Sequence, residues 1–183
     1  MKLMTRGRAS TLATLAAGAA IGLFAIGTTT AASAASPAAA TVTQHYSLAG
    51  SAFTPDGLHN TTDDYFNEWD PTTLSNTDAG RCFNAGLSLP PKALLKSITV
   101  YFTAGSAAMY FEINQQTLAT HTATDLVSFD SPINTGTPAY TSQGETFPTN
   151  TMVNMAQNAY SAGVCPSGTT TFSGFTITYT LPA

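Results

Sequence analysis

The sequence predicts an all-β protein, an antiparallel sandwich of two sheets with a jelly-roll-like arrangement and one disulfide. Short runs in which apolar and polar residues alternate recur along the chain, with turn residues between them. Helical periodicity is missing beyond the first residues. Strands without helices pack as two sheets face to face, so a sandwich is expected, and a closed barrel is the alternative architecture.

The N-terminal residues have the pattern of a signal peptide. Three basic residues precede an apolar run rich in Ala, Gly and Leu, and Ala32-Ser33-Ala34 follows as a small-residue cleavage pattern. A retained membrane anchor is the alternative, although the run is near the short end for a hydrocarbon core of about 30 Å. We therefore predict a helical signal peptide at 1–35, a Pro/Ala spacer at 36–42 and a single β-sandwich domain at 43–183.

The charge of the chain excludes two classes of partner. Beyond the signal peptide, three basic residues stand against ten acidic ones, which gives a net charge of −7. Nucleic acids and anionic membranes attract basic patches, so neither is an expected partner once the signal peptide is removed. The expected partner is extracellular, either a glycan or a molecule that the sequence does not identify.

The stretch from Arg81 to Phe102 is the centre of the predicted fold. It contains two alternating apolar runs, each with one face to bury, and Pro90-Pro91 lies between them. Proline fixes φ near −65° and cannot donate to a sheet ladder, so the pair ends the first strand and turns the chain. This stretch therefore predicts a corner between two strands.

The remaining strands follow from the same alternation. Further strands are predicted around Tyr46 to Phe53, at Tyr65 to Trp69, from Met109 to Asn114, at Val127 to Phe129 and from Phe172 to Leu181. Two stretches, 56–80 and 131–149, are rich in polar, Gly and Pro residues and are predicted to be long loops. The segment from Val153 to Tyr160 is ambiguous, and its Asn-rich composition favours a strand over a turn of helix.

Three motifs resemble those of a family of small secreted bacterial β-sandwich proteins of unknown function. They are an opening strand with Tyr46, Gly50, Phe53 and Pro55, a middle unit with Leu89, Pro90, Ala93, Ile98, Val100 and Phe102, and a closing strand with Phe172, Gly174, Phe175, Ile177, Tyr179 and Thr180. The likeness covers nearly the whole domain. Its motifs are structural, so the resemblance implies the fold and secretion and no activity. Pro91-Lys92 stands where the family often has a Gly before the alanine, so the turn there is expected to differ in type.

The chain has two cysteines, Cys82 and Cys165. In an exported protein an even pair with no other thiol is typical of a disulfide. A metal site or a catalytic thiol would need further ligands or a paired base, and the sequence offers neither. We therefore predict a structural bridge between them.

Acidic residues are concentrated in the 56–80 loop. Clustered carboxylate oxygens are the ligands that calcium prefers, and Asp63, Asp64 and Asp70 are the candidates for such a site. The EF-hand pattern is not met in the loop, so a plain solvated loop is the simpler interpretation. Apart from calcium, no cofactor is expected.

If the domain binds a small ligand, the sequence predicts a carbohydrate at Tyr65, Glu68, Trp69 and Asp70. Sugars stack their C–H faces on aromatic rings and donate hydroxyls to carboxylates, and this segment interleaves both kinds of side chain. The alternative is that Trp69 packs in the core, as a large aromatic residue in a β domain more often does.

The sequence predicts a secreted binding module rather than an enzyme. The three histidines, His45, His59 and His121, lie in separate segments and match no nucleophile or metal-ligand spacing. A structural extracellular protein that acts by self-association, without a small ligand, is the alternative function.

Overall fold

The structure, a computed structural model, describes residues 41–55, 65–67, 73–76 and 81–182. These residues form eleven strands and one short 3-10 turn, Gly50–Ala52. The strands are β1 Val42–Ala49, β2 Thr54–Pro55, β3 Tyr65–Asn67, β4 Leu74–Asn76, β5 Phe83–Gly86, β6 Leu94–Ala104, β7 Tyr110–Thr117, β8 Thr122–Asp130, β9 Ala139–Thr146, β10 Asn158–Cys165 and β11 Thr171–Leu181. No helix in the described part of the chain is long and apolar enough to cross a membrane.

The strands form two antiparallel sheets. Sheet A has the order β3-β4-β11-β6-β9, and β1 also pairs with β11. Sheet B has the order β2-β5-β10-β7-β8. Every pairing between named strands is antiparallel. The predicted all-β, two-sheet sandwich is therefore confirmed.

The core lies between the sheets and is rich in phenylalanine. The predicted alternation holds along β6, where Ile98, Val100 and Phe102 are buried and the residues between them are half-buried. Phe172 of β11 meets Phe53 edge to face, with ring centroids 5.0 Å apart. Aromatic pairs of this geometry add about 1 kcal/mol each beyond the area that they bury.

Buried hydroxyls tie the loops together at one end of the sandwich. Thr170 and Ser131 are almost fully buried. The Gly105 N–H donates to Thr170 Oγ1 at 3.0 Å, and the Met109 N–H donates to Ser131 Oγ at 2.8 Å. Buried polar groups need hydrogen-bond partners. The two hydroxyls therefore accept from loop N–H groups that are not paired within the sheets.

The prediction of a long loop at 131–149 was wrong, because β9 lies within it and pairs with β6 along its whole length. β9 is an edge strand, and its partly covered positions are Thr141, Gln143 and Glu145. These side chains give no apolar alternation, so the periodicity that reveals the other strands is absent here.

Two other element boundaries also differ from the prediction. The strand expected at Val153 to Tyr160 begins only at Asn158 and continues to Cys165. Before it, Asn154 closes a turn, because its carbonyl accepts from the backbone N–H groups of Gln157 and Asn158. The strand expected at Val127 to Phe129 is longer than predicted and starts at Thr122.

Several predictions lie outside the described residues. These are the signal peptide, the spacer up to residue 40, and the 56–80 segment apart from 65–67 and 73–76. Within that segment the structure places two short paired strands, β3 and β4.

Candidate functional site

The outer face of sheet B carries a polar patch built by strand register. Tyr110, Glu112 and Asn114 alternate along β7 with the fully buried Phe111 and Ile113, so they point away from the core. β7 pairs with β10 and β8, and β10 pairs with β5, so residues of these three strands lie beside Tyr110, Glu112 and Asn114 on the same face. We call this set the Glu112 face, and it comprises Asn84, Gly86, Tyr110, Glu112, Asn114, Asp125, Ser128, Ser161 and Gly163.

Two side chains hold the Glu112 carboxylate from both sides. The Tyr110 hydroxyl donates to Glu112 Oε2 at 2.9 Å, and Asn114 Nδ2 donates to Oε1 at 2.7 Å. Both bonds run between residues two apart on one strand, where side chains share a face. The carboxylate is thus fixed in position while it keeps lone pairs for further donors.

The Oδ1 atom of Asn114 completes the arrangement. Among the buried side-chain polar atoms of the described residues, it is the one that lacks a hydrogen-bond partner in the protein. A buried acceptor without a donor costs free energy, so such atoms usually meet water or a ligand. Because Oδ1 has almost no surface accessible to solvent, a ligand can reach it only if the Asn114 side chain moves.

Two glycines belong to this face, and one of them, Gly86, leaves open space above the sheet. Gly163 pairs with Glu112, and a Cβ atom on it would lie 2.9 Å from Glu112 Oε1, so the carboxylate lies over the β10 backbone. In the next row Gly86 pairs with Ser161, and a Cβ atom on Gly86 would meet nothing within 4 Å. A flat polar ligand can approach the sheet backbone at Gly86, whereas the Glu112 side chain covers the backbone at Gly163.

Partial burial, and then the hydrogen bond to Glu112, raise the pKa of Tyr110 above its ordinary value of 10.0, while a bond from Ser128 acts in the opposite direction. Between its unfolded and folded pKa values, Tyr110 is protonated in the folded protein and ionised in the unfolded chain. The stabilisation from this group is therefore complete below about pH 10 and is lost as the pH rises through the folded pKa. We expect the unfolding free energy to fall above pH 10 more steeply in the wild type than in Tyr110→Phe.

Denaturant unfolding of both proteins at several values between pH 9 and 11.5 would check this expectation. Absorbance at 295 nm, which follows tyrosine ionisation, should show that the wild type has one more tyrosine than Tyr110→Phe that ionises above pH 10. Parallel pH profiles of the two proteins would contradict a raised pKa of Tyr110 in the folded state.

The structure places Tyr65 in β3, opposite Asn76. Glu68, Trp69 and Asp70, like Asp63 and Asp64, lie outside the described residues, so the proposed sugar and calcium ligands stay predictions. The described residues contain no group of three or more His, Cys, Asp and Glu side chains that could hold a metal ion.

The predicted Cys82–Cys165 disulfide is present, with the two Cα atoms 4.1 Å apart. It joins the residue before β5 to the last residue of β10, and this strand pair also carries Gly86 and Gly163. Cys165 pairs with Tyr110 in the register of β7, so the bridge borders the Glu112 face. A disulfide fits an oxidising environment.

Sequence reasoning assigned β7 as a strand but gave its polar side no function. The available signal was its composition, because this strand places a phenol, a carboxylate and an amide at alternate positions. The polar side of β11, in sheet A, has Thr176, Thr178 and Thr180, which are ordinary residues of an exposed sheet face.

No protein-family model matches the sequence, and no characterised protein matches it. Solved structures do resemble it in fold. One is the C-terminal CBM6 module of LamC, a marine laminarinase from Zobellia galactanivorans, with 12% identity, a TM-score of 0.50, and coverage of 73% of this chain and 98% of that one. Another is the xylan-binding module CBM15, with 12% identity, a TM-score of 0.48, and coverage of 76% and 100%. The chain therefore has the β-sandwich fold seen in the LamC module.

Proposed function

We propose that this protein is a non-catalytic extracellular module that binds carbohydrate on the Glu112 face. Its fold matches that of a module from a polysaccharide-degrading enzyme, although at 12% identity the likeness extends to the fold alone. The observation that carries the proposal is the Glu112 carboxylate, held on the outer face of sheet B by the Tyr110 hydroxyl at 2.9 Å and the Asn114 amide nitrogen at 2.7 Å.

The acceptors on this face suit the hydroxyl groups of a sugar. A carboxylate has about four lone-pair positions, and Tyr110 and Asn114 occupy two of them. Two neighbouring hydroxyls of a sugar ring can donate to the positions that remain. Tyr110 also presents a half-buried aromatic ring against which an apolar C–H face can pack.

The same geometry favours binding over catalysis. A carboxyl group that acts as general acid must donate a proton to a leaving group. Glu112 instead accepts hydrogen bonds at both oxygens, from Tyr110 and from Asn114. It is arranged as a fixed acceptor, which is the role that hydroxyl recognition requires.

Two edge strands, β8 and β9, disfavour the alternative function, self-association through sheet edges. β8 is an edge of sheet B and carries Asp125 and Asp130, and its ladder has an irregularity between Ile113 and Asn114 of β7. β9 is an edge of sheet A and carries the partly covered Glu145. Charges and bulges on edge strands hinder pairing with a second sheet.

We expect Glu112→Gln to weaken glycan binding by 10-fold or more, since a hydrogen bond to a charged acceptor contributes about 1.5 to 3 kcal/mol. Calorimetric titration of the secreted protein with β-glucan, xylan and chitin fragments would measure the affinity. Glu145→Gln is the matched control, because it removes the same charge from an edge of sheet A and should leave binding unchanged. Equal binding by both variants would contradict the assignment of the face.

The loop predicted from sequence is a second candidate position for the same sugar. Trp69→Ala, with Tyr65, Glu68 and Asp70 intact, belongs in the same titrations, because loss of binding there and not in Glu112→Gln would move the site to the loop. Melting curves with calcium and with a chelator test Asp63, Asp64 and Asp70 as ligands of a metal. No shift in melting temperature would remove the calcium hypothesis.

A further inference from the structure

A groove of about 600 Å³ lies beside the segment that precedes β10. Its lining combines apolar side chains with amides and one charged residue. The residues are Pro91, Lys92, Gln115, Met152, Val153, Asn154, Met155, Ala156 and Asn158, and we call this the Met152 groove. A second groove, of about 340 Å³, shares Lys92 and Met152 with it.

The two methionines of this groove are exposed, and backbone hydrogen bonds fix the segment that carries them. Met152 is 59% exposed and Met155 is 38% exposed. Between them Val153 is buried, and its N–H donates to the Ala93 carbonyl at 2.8 Å while its carbonyl accepts from the Lys92 N–H at 2.9 Å. Met152 also forms a β-bridge with Leu94. The apolar surface is therefore preformed.

Lys92 occupies a backbone position that glycine would fill at lower cost. Its φ is 66°, and the Ala93 N–H donates to the Pro90 carbonyl at 3.1 Å across it. Proline followed by a residue of positive φ is the pattern of a type II turn, whose third position strongly favours glycine. The structure thus shows a lysine kept in a strained conformation in the lining of a groove.

The charge around the groove has one sign. Among the residues that the structure describes, Lys92 is the sole charged one in the lining, and no carboxylate lines the groove. The domain as a whole has a net charge of −7, so a cation without carboxylate neighbours in the lining stands out from the surrounding protein. A ligand with an anionic group would find its complement at the Lys92 ammonium.

We propose that the Met152 groove binds a small anionic amphiphile. Its apolar body lies on Met152, Met155 and Pro91, and its carboxylate or sulfonate lies against Lys92. Methionine suits such a ligand because its flexible thioether adapts to different apolar shapes. The proposal is independent of glycan binding on the Glu112 face.

The observations favour single molecules over a lipid surface. The volume of about 600 Å³ falls within the range of about 300 to 1,000 Å³ that small-molecule sites occupy. An anionic bilayer would repel a domain with a net charge of −7.

The experiment compares two fluorescent probes that share an aromatic body, anionic 8-anilinonaphthalene-1-sulfonate and neutral N-phenyl-1-naphthylamine. We expect saturable 1:1 binding of the anionic probe to the native protein. Lys92→Gly should weaken it roughly three- to five-fold, as for a partly exposed ion pair, and change the neutral probe little. The same variant should melt a few degrees higher, because glycine relieves the positive φ.

Lys96→Gln is the control for charge, since Lys96 is exposed on β6 outside this lining and its loss should leave both probes unchanged. Met152→Gln should weaken both probes, and its melting curve reports whether it folds. Equal effects of Lys92→Gly and Lys96→Gln, or equal affinity of the native protein for the two probes, would overturn the proposal. The proposal would also be overturned if the protein sedimented with phosphatidylglycerol vesicles and showed no saturable binding of the anionic probe.

Discussion

We expect the Cys82→Ser/Cys165→Ser protein to have a free energy of unfolding about 4 kcal/mol lower than the wild type. The bridge joins residues 83 positions apart, so it prevents much of the unfolded chain from expanding. The chain-entropy estimate for a loop of this length is about 4.5 kcal/mol, and any strain in the native bridge reduces it. Guanidinium unfolding followed by circular dichroism would measure the difference.

The control for this variant is the wild type with and without a reductant. Reduction should lower the stability of the wild type towards that of the double variant and leave the variant unchanged. The m-value should also rise on removal of the bridge, because a less compact unfolded state exposes more surface. A loss below about 1 kcal/mol would mean that the unfolded chain retains contacts across the bridge.

The strands with a strict apolar face could be predicted from the sequence. Phe175, Ile177 and Tyr179 of β11 alternate with threonines, and all three are buried. Burial of one face of a pleated strand imposes a period of two on the sequence, so the pattern can be read directly. The same pattern predicts β6 and the first half of β7.

β9 shows where this reasoning fails. It pairs with one strand only and covers the edge of the core with Thr141, Gln143 and Glu145. An edge strand buries little, so its sequence is not constrained to alternate, and glycines and prolines around it resemble a loop. Its position is set by the ladder with β6, which is a long-range contact.

The Glu112 face could not be predicted for a similar reason. Whether this face can bind a ligand depends on the residues that lie across from Glu112 and Asn114. These are Gly163 and Ser161 of β10. Residues 112 and 163 are brought together only by sheet order and register, and a shift of one residue would place a core side chain over the carboxylate. The sequence shows the donors and acceptors along one strand and leaves the space beside them undetermined.

We expect Gly174→Ala to lower the free energy of unfolding by about 3 kcal/mol. Gly174 has a φ of 142° at an irregularity in the β11–β6 ladder, and a Cβ atom there would collide with the carbonyl oxygen of Leu48 on β1. Neither group can move easily, because β1 pairs with β11 from Val42 to Ala49. Gly86→Ala is the matched control in guanidinium unfolding, since its Cβ would meet nothing within 4 Å, and it should change stability by less than about 1 kcal/mol. If the two variants were equally stable, β1 would have to shift away from β11 without loss, and the packing assigned to this pair of strands would be wrong.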